Sequence, residues 1–274
     1  MTVAWRRIAL GIAISVATAL VFPGPSQAAG APKPASAAST PDYSAWAEIL
    51  QKHYDPARGM DYAGLKASDA AKLGRLRAVM SLVDVTELSR NEQLAFWINL
   101  YNISVVGIVV DHYPVDSIRD ISTDPIIRLN VFKKDLINFN GRLISLDHIE
   151  HEMIRNVFRD PRIHFAINCA ARSCPPIRPE PFVGSKVDAQ LDDQARSFLS
   201  GPHGARVESE GNTATIHTTK IMDWFKDDFE SWGGGSVAFL KKYLPPAQVA
   251  TIDRASKVRI EYDDYSWDLN EWKR

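Results

Sequence analysis

Only two cysteines occur in 274 residues, which excludes a disulfide-dense miniprotein, because such a fold needs cysteine at several-fold higher density. Charge of one sign is also lacking: 32 basic residues stand against 33 acidic ones. With no run of five or more Lys/Arg, the field of a nucleic-acid binder is missing, and no nucleic-acid partner is expected. Glycine and proline number 15 and 16, too few for a collagen-like or low-complexity chain. A glycine-rich phosphate loop is absent, since Gly233-Gly234-Gly235 follows Trp232 without a buried strand and reads as a loop before a helix. No G-x-S-x-G occurs, so serine hydrolase chemistry of that kind has no support. Nothing in the chain calls for a cofactor. What remains is an ordinary globular composition, 45% hydrophobic and 24% charged.

Residues 1–28 read as a secretory signal: Arg6 and Arg7, an apolar run from Ile8 to Phe22, then Ser26-Gln27-Ala28 as a small-x-small cleavage pattern. The run is shorter than the roughly 20 residues that span a bilayer, and Pro23-Gly24-Pro25 follows it. The expectation is an exported protein, periplasmic or secreted, with no membrane span after cleavage. Residues 29–41, AGAPKPASAASTP, read as a flexible linker. From Asp42 to Arg274 apolar segments recur without a long break, which reads as one globular domain.

Apolar spacing and end signals predict helices at about 42–53, 68–83, 91–111, 146–158, 186–199, 235–243 and 246–254. Hairpins are expected around Asn140-Gly141 (136–145) and Gly211-Asn212 (205–219), with further strands at 162–168 and 257–262. Helices and hairpins are segregated without βαβ alternation, so the class is α+β, with several helices around a small, mainly antiparallel sheet. The 91–111 helix is apolar almost all round, so Asn99 and Asn102 inside it need polar partners or line a pocket. In the 146–158 helix, 100° per residue puts Glu150 in the middle of an apolar arc and sends His148, Glu152 and Arg155 to the other side. A carboxylate aimed into a core either meets donors or has a raised pKa. Trp224, Phe225 and Phe229 recur at helical spacing and read as core.

Cys169 and Cys174 lie in one short run, RIHFAINCAARSCPPIRPEPF (162–182). One reading is a local Cys169–Cys174 disulfide, which demands a sharp bend, since five extended residues span about 16 Å and a disulfide needs Cα atoms about 4.4–6.8 Å apart. The other is a thiol active site, with Cys169 as nucleophile, His164 as general base and Glu150 or an Asn as orienter. Strand alternation cuts against it by placing His164 and Cys169 on opposite faces, unless Cys169 lies past the strand end. Asn99, Asn102 and Arg172 are the candidate substrate-binding residues. His148-x-x-His151 is a weak metal signal, and no metal is expected.

FWINLYN (96–102) with HYP (112–114), LDHIEHEMIR (146–155), DPRIHFAINCAARSCPPIR (160–178), KIMDWFKDDF (220–229) and YDDYSWDLN (262–270) occur in this order. In these motifs the chain resembles the domain-of-unknown-function family 547 over roughly residues 60 to 270. The resemblance implies that the motifs gather around a common site, with Asn99, Asn102, Glu150, His164 and Cys169 as neighbours, but it carries no activity. Two functions follow from the residues: an exported cysteine-dependent hydrolase or transferase acting on a peptide, amide or thiol substrate, or a non-enzymatic envelope domain clipped by Cys169–Cys174. Either would take a small-molecule or peptide ligand. Thiol redox chemistry is a third class, weakened because the spacing is not C-x-x-C.

Overall fold

The structure, a computed structural model, describes residues 40–121 and 130–272. The expected signal and nearly all of the linker lie outside the described residues. The described residues open with α1 (Ser44–His53), a short antiparallel pair β1 (Tyr54–Asp55) and β2 (Gly59–Met60), then α2 (Tyr62–Ser68) and α3 (Ala70–Met80). Asp61 caps α2 by accepting the Gly64 N–H, and Asp69 separates α2 from α3. The helix expected at 68–83 is α3, two residues later at its start and three shorter at its end, and α2 before it was not expected.

At the centre lies α4 (Arg90–His112). Ser89 starts it with a capping box: its backbone N–H donates to Glu92 and its hydroxyl accepts the Glu92 N–H. Every residue from Leu94 to Val110 is buried. By length and composition α4 could cross a membrane, yet 94% of its apolar window is buried within the protein. Its apolar surround is the other helices, at roughly 1.5–3 kcal/mol per fully buried large side chain.

The hairpin β3 (Ile137–Phe139) and β4 (Arg142–Ile144) turns at Asn140-Gly141, both with positive φ, as that dipeptide demands. Ser145 then caps α5 (Leu146–His148), which runs through a π-helical stretch (Ile149–Arg155) into α6 (Asn156–Phe158). Residues 162–168, expected as a strand, instead enter a 3-10 helix (Pro161–Phe165). Asp160 accepts the Arg162 N–H and the Pro161 ring presets φ, so a helical turn wins over the alternating pattern of Ile163, Phe165 and Ile167.

Next come α7 (Val187–Leu199), the hairpin β5 (Ala205–Glu210) and β6 (Thr213–Thr218), α8 (Ile221–Trp224), α9 (Lys226–Glu230), α10 (Gly235–Tyr243), α11 (Pro246–Arg254) and β7 (Lys257–Tyr262). β6 pairs antiparallel with β5 and parallel with β7, Ile216 facing Ile260. The class is α+β, as expected. In place of one sheet the described residues hold two two-stranded sheets and one three-stranded sheet.

The core has two clusters. One surrounds α4; the other joins Phe165, Phe198, Met222, Phe229 and Phe239. The 3-10 segment straddles them, with Ile163 in the first cluster, Phe165 in the second and His164 between. Residues 263–272 then run back as a strap across the molecule. The Arg172 N–H donates to the Asp268 carbonyl, Asn270 N–H to Ala170, and Trp272 N–H to Met60. Gly59, at φ +97°, lets the Asn270 carbonyl approach where a Cβ would come within 2.1 Å of it.

Candidate functional site

A cavity of about 220 Å³ opens between the π-helical stretch, the Cys169 loop, α8 and the strap. Glu150, His164, Cys169 and Cys174 all line it, as do Tyr101 from α4, Tyr265 and Trp267 from the strap, and Asp147 and His151. With residues 162–168 not a strand, the alternation that separated His164 from Cys169 disappears, and both reach the same cavity.

The cysteine loop is built by amides. Asn102 grips it from α4: its Nδ2 donates to the Ala166 carbonyl (2.9 Å) and its Oδ1 accepts the Asn168 N–H (2.8 Å). Asn168 spans the loop, donating to the Pro175 carbonyl (2.7 Å) and accepting the Ala170 N–H (2.8 Å). Ala170 sits at φ +58°, a left-handed conformation that costs a non-glycine residue roughly 1–2 kcal/mol. Its N–H bond to Asn168 and its carbonyl bond to Asn270 hold it there. The bend brings Cys174 back so that its Sγ accepts the Cys169 N–H at 2.9 Å.

Both cysteines are free thiols, which corrects the clip reading. The sharp bend that a disulfide needs does form, but Cys174 spends its sulfur on backbone and thiol hydrogen bonds. The Cys169 Sγ lies 3.1 Å from the Tyr265 hydroxyl. Burial alone would push the Cys169 thiol up, but hydrogen bonds from the Cys174 thiol, the Tyr265 hydroxyl and the Ala171 backbone outweigh it and bring Cys169 below the ordinary thiol range. Burial drives Cys174 well above that range, and the neighbouring Cys169 adds to the effect. The pair is polarised: the Cys169 thiol ionises the more readily of the two, and the Cys174 thiol stays a donor.

His164 is buried and stacked on Phe225, ring centroids 3.9 Å apart. Its Nε2 lies 2.7 Å from Asp228 Oδ2. Burial pushes its pKa down to about 4, against the pull of Asp228. The ring is therefore neutral near pH 7; a carboxylate only accepts, so Nε2 carries the proton and Nδ1 keeps a free lone pair. That Nδ1 is buried without a hydrogen-bond partner among the described residues. The side chain that holds the His164 ring is thus Asp228, neither Glu150 nor an Asn. Burial would raise the Asp228 carboxyl, but bonds from His164 and Arg155 hold it far below the usual carboxylate range. Arg155 grips Asp228 with two nitrogens, at 2.7 and 2.9 Å, and gives a third to His151 Nδ1 at 2.8 Å.

Glu150 keeps part of its surface open to the cavity while protein crowds its other sides. Burial pushes its carboxyl up to about 7, against the attraction of Arg155 and a hydrogen bond with Tyr101. The π-helical stretch explains why the Arg155 charge is felt at Glu150. A wider turn brings residues five apart over one another, whereas a regular helix would send Arg155 away from Glu150.

Other expected site residues lie elsewhere. The Asn99 amide clamps the Phe182 backbone, donating at 2.7 Å and accepting at 3.0 Å. Asn99 and Asn102 are thus committed to backbone and do not line the cavity. Arg172 is exposed and also outside the cavity lining. Of the three aromatics read as core, Phe229 is buried, but Phe225 lines the cavity and Trp224 is 46% exposed beside it. Asp228, Tyr101, Tyr265 and Trp267 were not singled out by the sequence; all four carried one signal, their place in the family motifs. No group of three or more His, Cys, Asp or Glu among the described residues could hold a metal ion.

Residues 85–199 match the family model described as "Protein of unknown function, DUF547". No curated protein and no solved structure matches the chain. Trp224, Asp228, Tyr265 and Trp267 lie beyond the matched segment. The stretch that carries α4, the π-helical turn, His164 and both cysteines is thus similar to the DUF547 family, in line with its motifs.

Proposed function

We propose that this is an exported cysteine-dependent hydrolase or transferase acting on a peptide, amide or thiol-ester substrate. The observation that carries the reading is the polarised Cys169 thiol on the wall of a cavity that also holds an aspartate-oriented imidazole and a carboxyl with a pKa of about 7. Perturbed titratable groups converging on one cavity are the physical signature of a reacting site. The export part rests on the signal pattern of residues 1–28 alone.

In this reading the Cys169 thiolate attacks the carbonyl carbon of the substrate. The tetrahedral intermediate collapses as the carbon–nitrogen or carbon–sulfur bond breaks, and the leaving group takes a proton from Glu150, which is partly protonated near pH 7. Water or an acceptor nucleophile then attacks the acyl-cysteine, losing a proton to the Glu150 carboxylate or to Nδ1 of His164. Cys169 leaves as the thiolate that Tyr265 and Cys174 stabilise.

The test is acylation by an activated thioester, followed by intact-mass spectrometry. One acyl group on Cys169, turned over in the wild type and accumulating in Glu150→Gln, is expected; Cys169→Ala should take up none. Equal acylation of Cys169→Ala, or none in the wild type, contradicts the reading.

A further inference from the structure

Three aromatic rings form one continuous surface beside Cys169. Trp224 at the end of α8 lies 4.8 Å from Tyr265 and 5.8 Å from Trp267, centroid to centroid, and Tyr265 lies 5.0 Å from Trp267. All three line the cavity, and Tyr265 is the ring whose hydroxyl meets Cys169. An indole left 46% exposed at a cavity mouth is costly unless something covers it.

Charge narrows what covers it. Two carboxyl groups, Asp147 and Glu150, line the cavity, and among the described residues no Lys or Arg does. Arg155, directly behind, has its charge spent on Asp228. Arg119 rests over Trp267 at 5.1 Å and is not part of the lining, whereas no Lys or Arg among the described residues sits over Trp224. The faces of indole rings attract cations, more strongly once water is excluded, and nearby carboxylates add to that attraction.

We propose that Trp224, with Tyr265 and Asp147, forms a cation subsite, and that the acyl substrate carries an ammonium or guanidinium group seated against the Trp224 ring while its carbonyl reaches Cys169. The inference rests on the thiol chemistry proposed above and names the class of substrate for it: positively charged peptides or amides. Neutral aromatic substrates would use the same rings without the carboxylates; anionic ones would be repelled.

The test uses three small methanethiosulfonates, bearing a trimethylammonium, a methyl or a sulfonate group. Each transfers its thio group to a thiolate and releases a sulfinate, so electrons balance without another reagent. Rates of Cys169 modification are measured in Cys174→Ser and divided by each reagent's rate with free 2-mercaptoethanol. The normalised rate of the cationic reagent should exceed that of the neutral one about tenfold, with the anionic reagent slowest. Trp224→Ala and Asp147→Asn should each lower the cationic-to-neutral ratio severalfold, and the double variant should bring it to about one. A neutral reagent as fast as the cationic one, or a ratio unmoved by Trp224→Ala, overturns the cation subsite and leaves the thiol enzyme standing. Failure of all three reagents to label Cys169 overturns the thiol enzyme and the subsite together.

Discussion

Glu150 and His164 are two titratable side chains in one cavity whose pKa values are displaced in opposite directions, one carboxyl up to about 7 and one imidazole down to about 4. Both displacements come first from burial, which disfavours whichever form is charged. Their effects on stability therefore fall in different pH windows. Glu150 is raised in the fold, so its contribution is full below the ordinary glutamate range and is lost as pH rises through about 7. His164 is lowered, so its contribution is present above the ordinary histidine value and is lost as pH falls toward 4. Glu150→Gln removes the buried charge while Tyr101 can still pair with the amide. Thermal unfolding across pH should find this variant close to wild type at pH 5 and more stable at pH 8, by up to about 3 kcal/mol. Equal stability of the two proteins at pH 8 would mean that Glu150 ionises without cost.

Among the elements, α4 and the loop it grips show how much of the site the sequence reveals. The apolar surround of α4 required partners for Asn99 and Asn102, and both amides are paired, each holding a backbone segment in place. Asn102→Ala would leave the Ala166 carbonyl and the Asn168 N–H buried and unpaired. At about 1–3 kcal/mol for each of these two groups, chemical denaturation should show a loss of about 2–6 kcal/mol with an unchanged slope. A loss below about 0.5 kcal/mol would show that the loop holds itself.

Element ends were legible where local chemistry sets them, at the Asn140-Gly141 turn and the Pro246 start of α11. The π-helical stretch was not, because its apolar residues fit a regular helix equally well and only the i to i+5 geometry brings Glu150 beside Arg155. The 3-10 turn at Pro161–Phe165 was masked by an alternating pattern in which Ile163 and Phe165 in fact enter two different clusters. Trp224 looked like core because helical spacing says where a ring sits along a helix, not whether anything covers it.

At the scale of the whole molecule, the site is assembled from segments that no local pattern relates. α4 supplies Tyr101, the π-helical stretch Glu150, the loop both cysteines, α9 Asp228, and the strap Tyr265. Composition and spacing identified Cys169, His164 and Glu150 as reactive types, but Asp228 and Tyr265 become their partners only through long-range packing. The low thiol pKa of Cys169 is thus a property of the folded chain: Tyr265, 96 residues away, must be held at 3.1 Å by the strap. The most direct measurement is the pH dependence of Cys169 alkylation by iodoacetamide, with the modified residue located by mass spectrometry, in native wild type, native Tyr265→Phe and urea-unfolded protein. The account predicts a native apparent pKa below the ordinary thiol value of about 8.5, a higher one in Tyr265→Phe, and the ordinary value once unfolded. A native Cys169 that titrates at or above the ordinary thiol value, or that is already bonded to Cys174, would contradict it.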